Sequence, residues 1–268
     1  MNLNGKVAIV TGSTQGLGVD IARHLLSVGA NVVLVGRNRD AGCALEDTLG
    51  PSSAFCACNV ELDDDIEHCI EFAIARFGRI DILVNNACIY VDHGIHSTRE
   101  QWHQTLDVNL VSAAMFTQKV LPHLSRGAVV INMGSTGGKF GAVGRALYPA
   151  SKAALIQITK SFAVALAPAG VRVLCVSPAW TWSPAVAQMC ADDIDVADKV
   201  GAPLHPLGRI GRGQEVAQVI SFLCSDDASW MTGVDVPVDG GFSILGPDQG
   251  ESPRTWFQQY QHTNTAED

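Results

Sequence analysis

One stretch decides the fold of this chain: Thr11-Gly12-Ser13-Thr14-Gln15-Gly16-Leu17-Gly18, called the glycine loop below. It follows the apolar run Val7–Thr11 and leads into a helical pattern at Gly16–Ser27. Glycines let a backbone turn sharply and approach a pyrophosphate, whose charge is attracted by the free N–H groups of a helix N-terminus. The spacing is G-x-x-x-G-x-G, not the common G-x-G-x-x-G. Its place after the first strand favours a dinucleotide-binding loop over a purely structural turn.

Short β-branched runs alternate with helical patterns along the rest of the chain. The strand-like runs are Val7–Thr11, Asn31–Val35, Ala54–Cys58, Ile80–Val84, Ala128–Asn132, Val171–Val176 and Val234–Val238. The helical patterns are Gly16–Ser27, Asp40–Leu49, Asp63–Phe77, Arg99–Leu121, Tyr148–Ala167 and Gln214–Ser225. This alternation predicts an α/β fold, a doubly wound Rossmann-type parallel sheet of about seven strands with helices on both faces. We expect a single domain over residues 1–245 and a polar tail over 246–268.

Size, charge and cysteine content narrow the class of protein. The 268 residues include 26 glycines and are 47% hydrophobic, which suits one domain with many buried strands. A net charge of −9 without a basic stripe is not typical of a nucleic-acid-binding protein. Cys56 and Cys58 have no second pair to complete a zinc site, so the eight scattered cysteines indicate reduced thiols in a cytoplasmic protein without a bound metal. Neither a signal-peptide pattern nor a run of about 18 apolar residues occurs, so no membrane span is predicted.

Tyr148 and Lys152 form the candidate catalytic pair. They lie four residues apart at the start of a predicted helix, so both side chains project from one face. An ammonium group beside a phenol favours the phenolate, which makes Tyr148 a usable general acid or base. Pro149 between them is tolerated in the first helical turn. Taken alone, the pair also fits two surface residues.

The surrounding motifs carry a family resemblance. Tyr148-Pro149-Ala150-Ser151-Lys152 resembles the active-site signature of the short-chain dehydrogenase/reductase family, as does Ser135 at the end of the fifth predicted strand. The other matching motifs are Asn85-Asn86-Ala87, Asn109 within Asp107-Val108-Asn109-Leu110, Pro206-Leu207-Gly208-Arg209 and Val238-Asp239-Gly240-Gly241. The resemblance runs from about Lys6 to Phe242, and the motifs follow the family's order.

The resemblance implies an NAD(P)-dependent oxidoreductase that interconverts a secondary alcohol, or a cyclic diol, and a ketone. Ser135 would hydrogen-bond the substrate oxygen, and Tyr148 would exchange a proton with it. Lys152 would also hold the nicotinamide ribose. Asn109 would anchor a water that relays protons to Lys152, although its residue type also suits a helix-capping or backbone-bridging amide.

The resemblance also implies a set of cofactor contacts. These are Gly12, Ser13, Thr14, Gln15, Gly16, Leu17, Gly18, Arg37, Asn59, Val60, Asn86, Ala87, Tyr148, Lys152, Pro178, Ala179 and Ser183. Four positions depart from the family's pattern. Asn59 replaces an aspartate beside the adenine, and Ser183 replaces a threonine that meets the nicotinamide amide. Cys88 and Ala179 replace glycines, so they add bulk near the cofactor.

The end of the second predicted strand bears on the choice between NAD and NADP. An NAD-selective site places a carboxylate there for the adenosine ribose hydroxyls. Gly36 takes that place, and no acid occurs among the next three residues. Arg37 would attract a 2′-phosphate, with Asn38 or Arg39 as candidate helpers. We therefore expect NADP(H) to be preferred, with NAD(H) as the alternative that Gln15 favours, since many NADP-preferring relatives have a basic residue at its position.

The substrate remains open at the level of sequence. Trp180 and Trp182 are candidates either for the substrate pocket or for core and lid aromatics. The acidic run Asp192, Asp193, Asp195 and Asp198 indicates a solvated lid face. The substrate is a small alcohol or ketone or, alternatively, a 3-oxoacyl chain on a carrier protein, which an acidic lid disfavours if the carrier is acidic. A catalytically idle dinucleotide-binding sensor or scaffold is the non-enzyme alternative.

The resemblance further implies a homotetramer. One interface would come from the helices Arg99–Leu121 and Tyr148–Ala167, and another from the region of Val234–Val238. Trp256, Phe257 and Tyr260 lie at near-helical spacing in the tail. We expect the tail to be partly ordered and to reach a neighbouring subunit, with a loose tail as the alternative.

Overall fold

Seven parallel strands form one sheet in the computed structural model, which describes residues 2–264. The strands are β1 (Val7–Thr11), β2 (Asn31–Gly36), β3 (Ser53–Ala57), β4 (Ile80–Asn85), β5 (Leu124–Met133), β6 (Arg172–Pro178) and β7 (Asp235–Val238). Their order is β3-β2-β1-β4-β5-β6-β7, and every neighbouring pair is parallel. The predicted doubly wound sheet is confirmed.

Helices connect the strands and cover the sheet. Within residues 2–264 the α-helices are α1 (Gly16–Ser27), α2 (Arg39–Leu49), α3 (Asp63–Phe77), α4 (Arg99–Leu106), α5 (Ser112–Val120), α6 (Leu147–Leu166), α7 (Pro184–Met189), α8 (Ile194–Gly201), α9 (Gly213–Cys224) and α10 (Pro253–Asn264). The single helix predicted over Arg99–Leu121 is interrupted by a π-helical turn at Asp107–Val111. The short helices α7 and α8 and the tail helix α10 were not among the predicted helices.

Both faces of the sheet are buried, which is why the strands read as unbroken apolar runs. All five residues of β1 are buried. Because side chains alternate along a strand, Ala8 and Val10 pack with residues of α1 and α9, whereas Ile9 packs on the other face with residues of α3 and α5. The two apolar clusters hold β1 at the centre of the domain.

The direction of strand addition reverses between β1 and β4. From β1 the chain continues outward through β2 to β3, and β4 then begins a second half on the other side of β1. Open α/β sheets bind ligands in the crevice at the carboxyl ends of the strands where this reversal occurs. The glycine loop follows β1, and Asn86 and Ala87 follow β4, so the predicted binding motifs meet at this crevice.

The lid segment, residues 180–204, follows β6 and contains α7 and α8. The Asp193 carboxylate accepts the N–H groups of Asp195 and Val196 and caps α8. Asp198 forms an ion pair with Arg212 at 2.6 Å, and that guanidinium holds the pKa of Asp198 below its ordinary value. Two of the four lid acids therefore have structural partners.

The tail forms the helix α10 between Pro253 and Asn264. Trp256, Phe257 and Tyr260 are each between 48% and 70% exposed, so α10 presents an uncovered aromatic face within this chain. Contact of the tail with a neighbouring subunit stays a prediction. The part of the tail beyond 264 lies outside the described residues. Across residues 2–264 we find no helix with the length and apolar character needed to span a bilayer.

Candidate active site

The glycine loop packs directly on the end of β4, which explains its composition. Gly12 has a φ of +63°, and a Cβ atom there would lie 2.8 Å from the Cα atom of Ala87. A Cβ atom on Gly18 would lie 2.3 Å from the Gly12 carbonyl oxygen and 2.7 Å from Nδ2 of Asn86. The Gln15 side chain does not cap α1. The first N–H groups of α1 are thus suited to an anion.

Hydrogen bonds lock this loop to the segment after β4. The Thr11 Oγ1 atom accepts the N–H groups of Asn86 (2.9 Å) and Ala87 (3.0 Å). In return, Nδ2 of Asn86 donates to the carbonyl oxygens of Thr11 (2.9 Å) and Gly12 (3.1 Å). The Asn86 side chain therefore helps to hold the glycine loop in its conformation.

On its other side the loop is fastened to β2. The buried Ser13 hydroxyl donates to the Val10 carbonyl (2.8 Å) and accepts the Val35 N–H (2.9 Å), so it braces the loop. A Cβ atom on Gly36 would lie 2.6 Å from the Thr14 methyl carbon. A carboxylate side chain at the end of β2 would therefore require the Thr14 side chain to move.

The residues after β2 divide into two exposed cations and a helix cap. Arg37 and Arg39 are exposed. The Asn38 side chain accepts the Ala41 N–H at 3.0 Å and caps α2. Asn38 therefore has a structural role, and the arginines are the better candidates to contact an adenosine phosphate.

The remaining predicted cofactor positions follow β3 and β6. Asn59 and Val60 are half-buried after β3, and the Asn59 N–H donates to the Asp65 carboxylate at 2.8 Å. Pro178 ends β6, and Ala179 follows it. The Ser183 hydroxyl caps α7. These positions border the crevice from two loops, and their contacts with a cofactor stay predictions.

The structure brings Ser135, Tyr148 and Lys152 together. Lys152 is only 3% exposed, and its Nζ atom lies 5.6 Å from the Tyr148 ring centroid and donates to the Met133 carbonyl at 2.7 Å. A Cβ atom on Gly137 would lie 3.3 Å from the Ser135 Oγ atom and 3.6 Å from the Tyr148 ring, so both groups border this glycine. The Ser135 Oγ atom accepts the Gly137 N–H at 3.0 Å, which leaves its proton to be donated.

Asn109 occupies the π-helical turn and is 1% exposed. Its Oδ1 atom accepts the Ile89 N–H at 2.8 Å, and its Nδ2 atom donates to the Ile89 carbonyl and to the Ser151 hydroxyl, each at 3.2 Å. Single π turns within helices are frequent at functional sites. The Asn109 side chain bridges backbone groups, and its water-relay role stays a prediction.

Sequence reasoning missed Tyr90, which lies on Tyr148, the predicted general acid or base. The rings of Tyr90 and Tyr148 stack with centroids 4.7 Å apart and an interplanar angle of 30°. The pKa of Tyr90 is raised, first by desolvation of the phenol and further by the nearby Cys88 thiol and Tyr148 phenol. The sequence marks Tyr90 only by its position, three residues after the Asn85-Asn86-Ala87 motif.

Sequence reasoning also missed Asp92, which caps α6 from a distant loop. Its carboxylate accepts the N–H groups of Gly94, Ala146 and Tyr148, each at 2.9 Å. Burial alone would raise the pKa of Asp92, but these backbone donors outweigh burial and hold that pKa below its ordinary value. The backbone of Tyr148 is thereby tied to the segment after β4.

Replacing Asp92 is expected to destabilise the protein at neutral pH. A carboxyl whose pKa is lowered on folding stabilises the native state above its unfolded value of about 3.9, and this stabilisation is lost as the pH falls through the lower native value. We expect Asp92→Asn to lower the free energy of unfolding by about 1 kcal/mol at pH 7, since the group is half-buried and asparagine keeps one acceptor.

Urea unfolding at pH 7 and pH 3 checks this expectation. The gap between wild type and Asp92→Asn should shrink at the lower pH, while Asp195→Asn, at an exposed lid position, should match wild type at both. A gap that is equal at the two pH values would contradict the charge-dependent cap.

Within residues 2–264 no three His, Cys, Asp or Glu side chains cluster closely enough to hold a metal ion. All eight cysteines are unpaired. The groups that converge at the crevice are therefore hydroxyls, amides, backbone N–H groups and the Lys152 ammonium.

Several known proteins are similar to this chain in sequence and in fold. A family model described as Enoyl-(Acyl carrier protein) reductase matches residues 12–243. L-fucose dehydrogenase of Bos taurus is 36% identical over 252 residues, which cover 90% of each chain. A solved short-chain dehydrogenase/reductase from Brucella melitensis, titled glucose/ribitol dehydrogenase, superposes with a TM-score of 0.82 at 31% identity and covers 89% of this chain and 97% of its own. A 3-ketoacyl-(acyl-carrier-protein) reductase from the same organism, complexed with NADH, gives a TM-score of 0.81 at 30% identity, over 91% and 100% of the two chains.

Proposed function

The chain belongs to the short-chain dehydrogenase/reductase family of oxidoreductases, and we propose that it transfers a hydride between a nicotinamide dinucleotide and a secondary alcohol or ketone. The observation that carries this proposal is that Ser135 and Tyr148 both border Gly137, with the Lys152 ammonium 5.6 Å from the Tyr148 ring centroid. A hydroxyl donor, a phenol and a buried ammonium are the groups that proton exchange at a carbinol oxygen requires.

The residues at the crevice fit a dinucleotide. Gly12 and Gly18 have no room for side chains, so the loop offers its backbone to a pyrophosphate beside the N-terminus of α1. The similar ketoacyl reductase structure contains NADH. When bound, the dinucleotide donates or accepts the hydride at its nicotinamide ring.

The chain's own residues hold the substrate oxygen and move its proton. Ser135 donates its hydroxyl proton in a hydrogen bond to that oxygen, because its Oγ atom already accepts from Gly137. During alcohol oxidation Tyr148 takes the hydroxyl proton as the carbinol carbon loses its hydride, and during ketone reduction it returns the proton. Lys152, held by the Met133 carbonyl, places a positive charge near the phenol and has two further N–H donors for ribose hydroxyls.

Turnover of a substrate panel tests the proposal. The wild-type protein is assayed with NAD⁺ and NADP⁺ against secondary alcohols and cyclic diols, and with NADH and NADPH against the matching ketones. We expect dinucleotide-linked turnover in at least one of these classes. A protein that binds the dinucleotide but turns over no member of the panel would be the idle sensor or scaffold instead.

A carrier-linked 3-oxoacyl chain is the second candidate substrate, favoured by the similarity to the enoyl-(acyl carrier protein) reductase family model and to the ketoacyl reductase structure. Asp192, Asp193 and Asp195 are exposed on the lid, and their charges would repel an acidic carrier protein. Acetoacetyl-carrier protein therefore belongs in the same panel. A kcat/KM for it above those of the free alcohols and ketones would establish the carrier-linked function.

Arg37→Ala is expected to lower the preference for NADP(H). The guanidinium is exposed just after β2, and Gly36 carries no carboxylate that would repel a 2′-phosphate. Hydrogen bonds to charged groups contribute about 1.5–3 kcal/mol, which corresponds to about 10- to 100-fold in the NADP/NAD ratio of kcat/KM. Arg39→Ala is the matched control and should change this ratio less. Wild type that favours NAD, or an unchanged ratio in Arg37→Ala, would contradict the assignment.

We also propose that the protein is a homotetramer. Apolar side chains stay exposed on two of the helices expected at an interface: Val164 on α6 is 78% exposed, and Val111 in the π turn is 42% exposed. Light scattering at micromolar concentration should give four times the mass of the chain, and Val164→Glu should lower that mass. A monomer mass for wild type would contradict the proposal.

A further inference from the structure

The segment Cys88–Asp92 lies against the catalytic tyrosine, and the mechanism above uses none of its side chains. Tyr90 is its most exposed member. Its ring stacks on Tyr148 at 4.7 Å, yet 68% of the residue is exposed. A large aromatic side chain is thus held in an open position directly beside the proton-exchanging group.

Two anchors fix the backbone on either side of Tyr90. The Ile89 N–H donates to Asn109 Oδ1 at 2.8 Å, and the Ile89 carbonyl accepts a hydrogen bond from Asn109 Nδ2 at 3.2 Å. Two residues after Tyr90, the Asp92 carboxylate accepts the N–H of Tyr148 at 2.9 Å. The backbone that carries Tyr90 is therefore fixed, and the stack on Tyr148 holds the Tyr90 ring, so less conformational freedom is left to lose on binding.

We propose that Tyr90 determines substrate specificity by binding a second hydroxyl on the carbon next to the reacting carbon, so that vicinal diols and the matching hydroxy ketones are preferred. This inference rests on the proposed function, since it assumes that the reacting oxygen binds to Ser135 and Tyr148.

The geometry of the two phenols supports this substrate class. The stacked rings bring the Tyr90 and Tyr148 hydroxyls close enough to interact. The oxygens of a vicinal diol are separated by about the distance between two hydrogen-bonded oxygens, roughly 2.8 Å. One diol can therefore bond to both phenols at once. Partial burial and the neighbouring thiol and phenol raise the pKa of Tyr90, so it stays protonated and donates while Tyr148 exchanges its proton.

Tyr90→Phe tests the inference, because phenylalanine keeps the ring stack and removes only the hydroxyl. The probes are cis-1,2-cyclohexanediol, its trans isomer and cyclohexanol, which share one carbon ring. We expect kcat/KM of the preferred diol to fall about tenfold, as the loss of one hydrogen bond predicts, and that of cyclohexanol to stay within about twofold. The dissociation constant of the same diol from the dinucleotide complex, measured by calorimetry, should rise in parallel.

The controls separate specificity from damage. Tyr260→Phe changes another exposed tyrosine, far along the chain, and should behave as wild type. Unchanged melting temperature and dinucleotide affinity show that Tyr90→Phe is folded. The inference would be overturned if Tyr90→Phe lowered kcat/KM equally for the diol and for cyclohexanol, or lowered neither. It would also be overturned if the wild-type protein turned over cyclohexanol without preferring a diol. Absence of turnover of any substrate in the earlier panel by wild type would overturn the proposed function and this inference with it.

Discussion

Tyr148→Phe is expected to lower kcat by about 100- to 10,000-fold, the usual contribution of a positioned general acid or base. Phenylalanine keeps the ring that stacks on Tyr90 and lies beside the Lys152 ammonium, and it removes only the hydroxyl group that exchanges the proton. Dinucleotide affinity and melting temperature should therefore match those of wild type. Steady-state rates on the best alcohol and its ketone, with a fluorescence titration of the reduced dinucleotide, provide the measurement.

Tyr260→Phe is the matched control for this substitution, since it removes a phenolic hydroxyl at an exposed position of α10. It should keep the wild-type rate. A Tyr148→Phe protein that retains both its fold and the wild-type kcat would remove Tyr148 from the reaction, and the convergence with Ser135 and Lys152 would then need another explanation.

Gly18→Ala is expected to disrupt the glycine loop and to weaken dinucleotide binding. A Cβ atom there meets the Gly12 carbonyl oxygen at 2.3 Å and the Ser13 Cα atom at 2.8 Å, both of them backbone atoms that move only with the loop. Overpacking of this kind costs about 1–3 kcal/mol of stability. Because the displaced atoms belong to the loop itself, we expect dinucleotide affinity to fall at least about tenfold, equivalent to about 1.4 kcal/mol.

Gly141→Ala is the control, because Gly141 is exposed and no atom lies within 4 Å of a Cβ atom built there. Its unfolding free energy should stay within about 0.5 kcal/mol of wild type. Chemical denaturation and dinucleotide titration of both variants check the pair. If Gly18→Ala kept the wild-type stability and dinucleotide affinity, the glycine loop would be able to accommodate the added methyl group and would not be rigid.

The buried parts of the fold were predictable from the sequence, because a parallel sheet covered on both faces produces continuous apolar runs. β1 was predicted with the bounds that the structure shows, Val7–Thr11. β5 was predicted as Ala128–Asn132 but begins at Leu124. Ser125, Arg126 and Gly127 are exposed, and no apolar pattern marks such an extension, which joins the sheet through an irregular pairing of Leu124 with Ile80.

The supports of the candidate site were less predictable, because they join residues that are distant in sequence. Asp92 reaches the N–H of Tyr148 across 56 positions, and Asn109 reaches the Ile89 backbone across 20. Helical periodicity predicted one continuous helix over Arg99–Leu121 and did not reveal the π turn at Asn109. The motif residues Ser135, Tyr148 and Lys152 were found because their spacing is local or their order along the chain is distinctive.

Transfer of a labelled hydride tests the central claim most directly. The protein is incubated with reduced dinucleotide carrying deuterium at both C4 positions of the nicotinamide ring and with the best ketone of the panel, and the product alcohol is examined by mass spectrometry and NMR. Direct transfer predicts that the deuterium appears on the carbinol carbon of the product, in step with oxidation of the dinucleotide. Alcohol formed without deuterium, or dinucleotide left reduced while the ketone is consumed, would contradict hydride transfer by this protein.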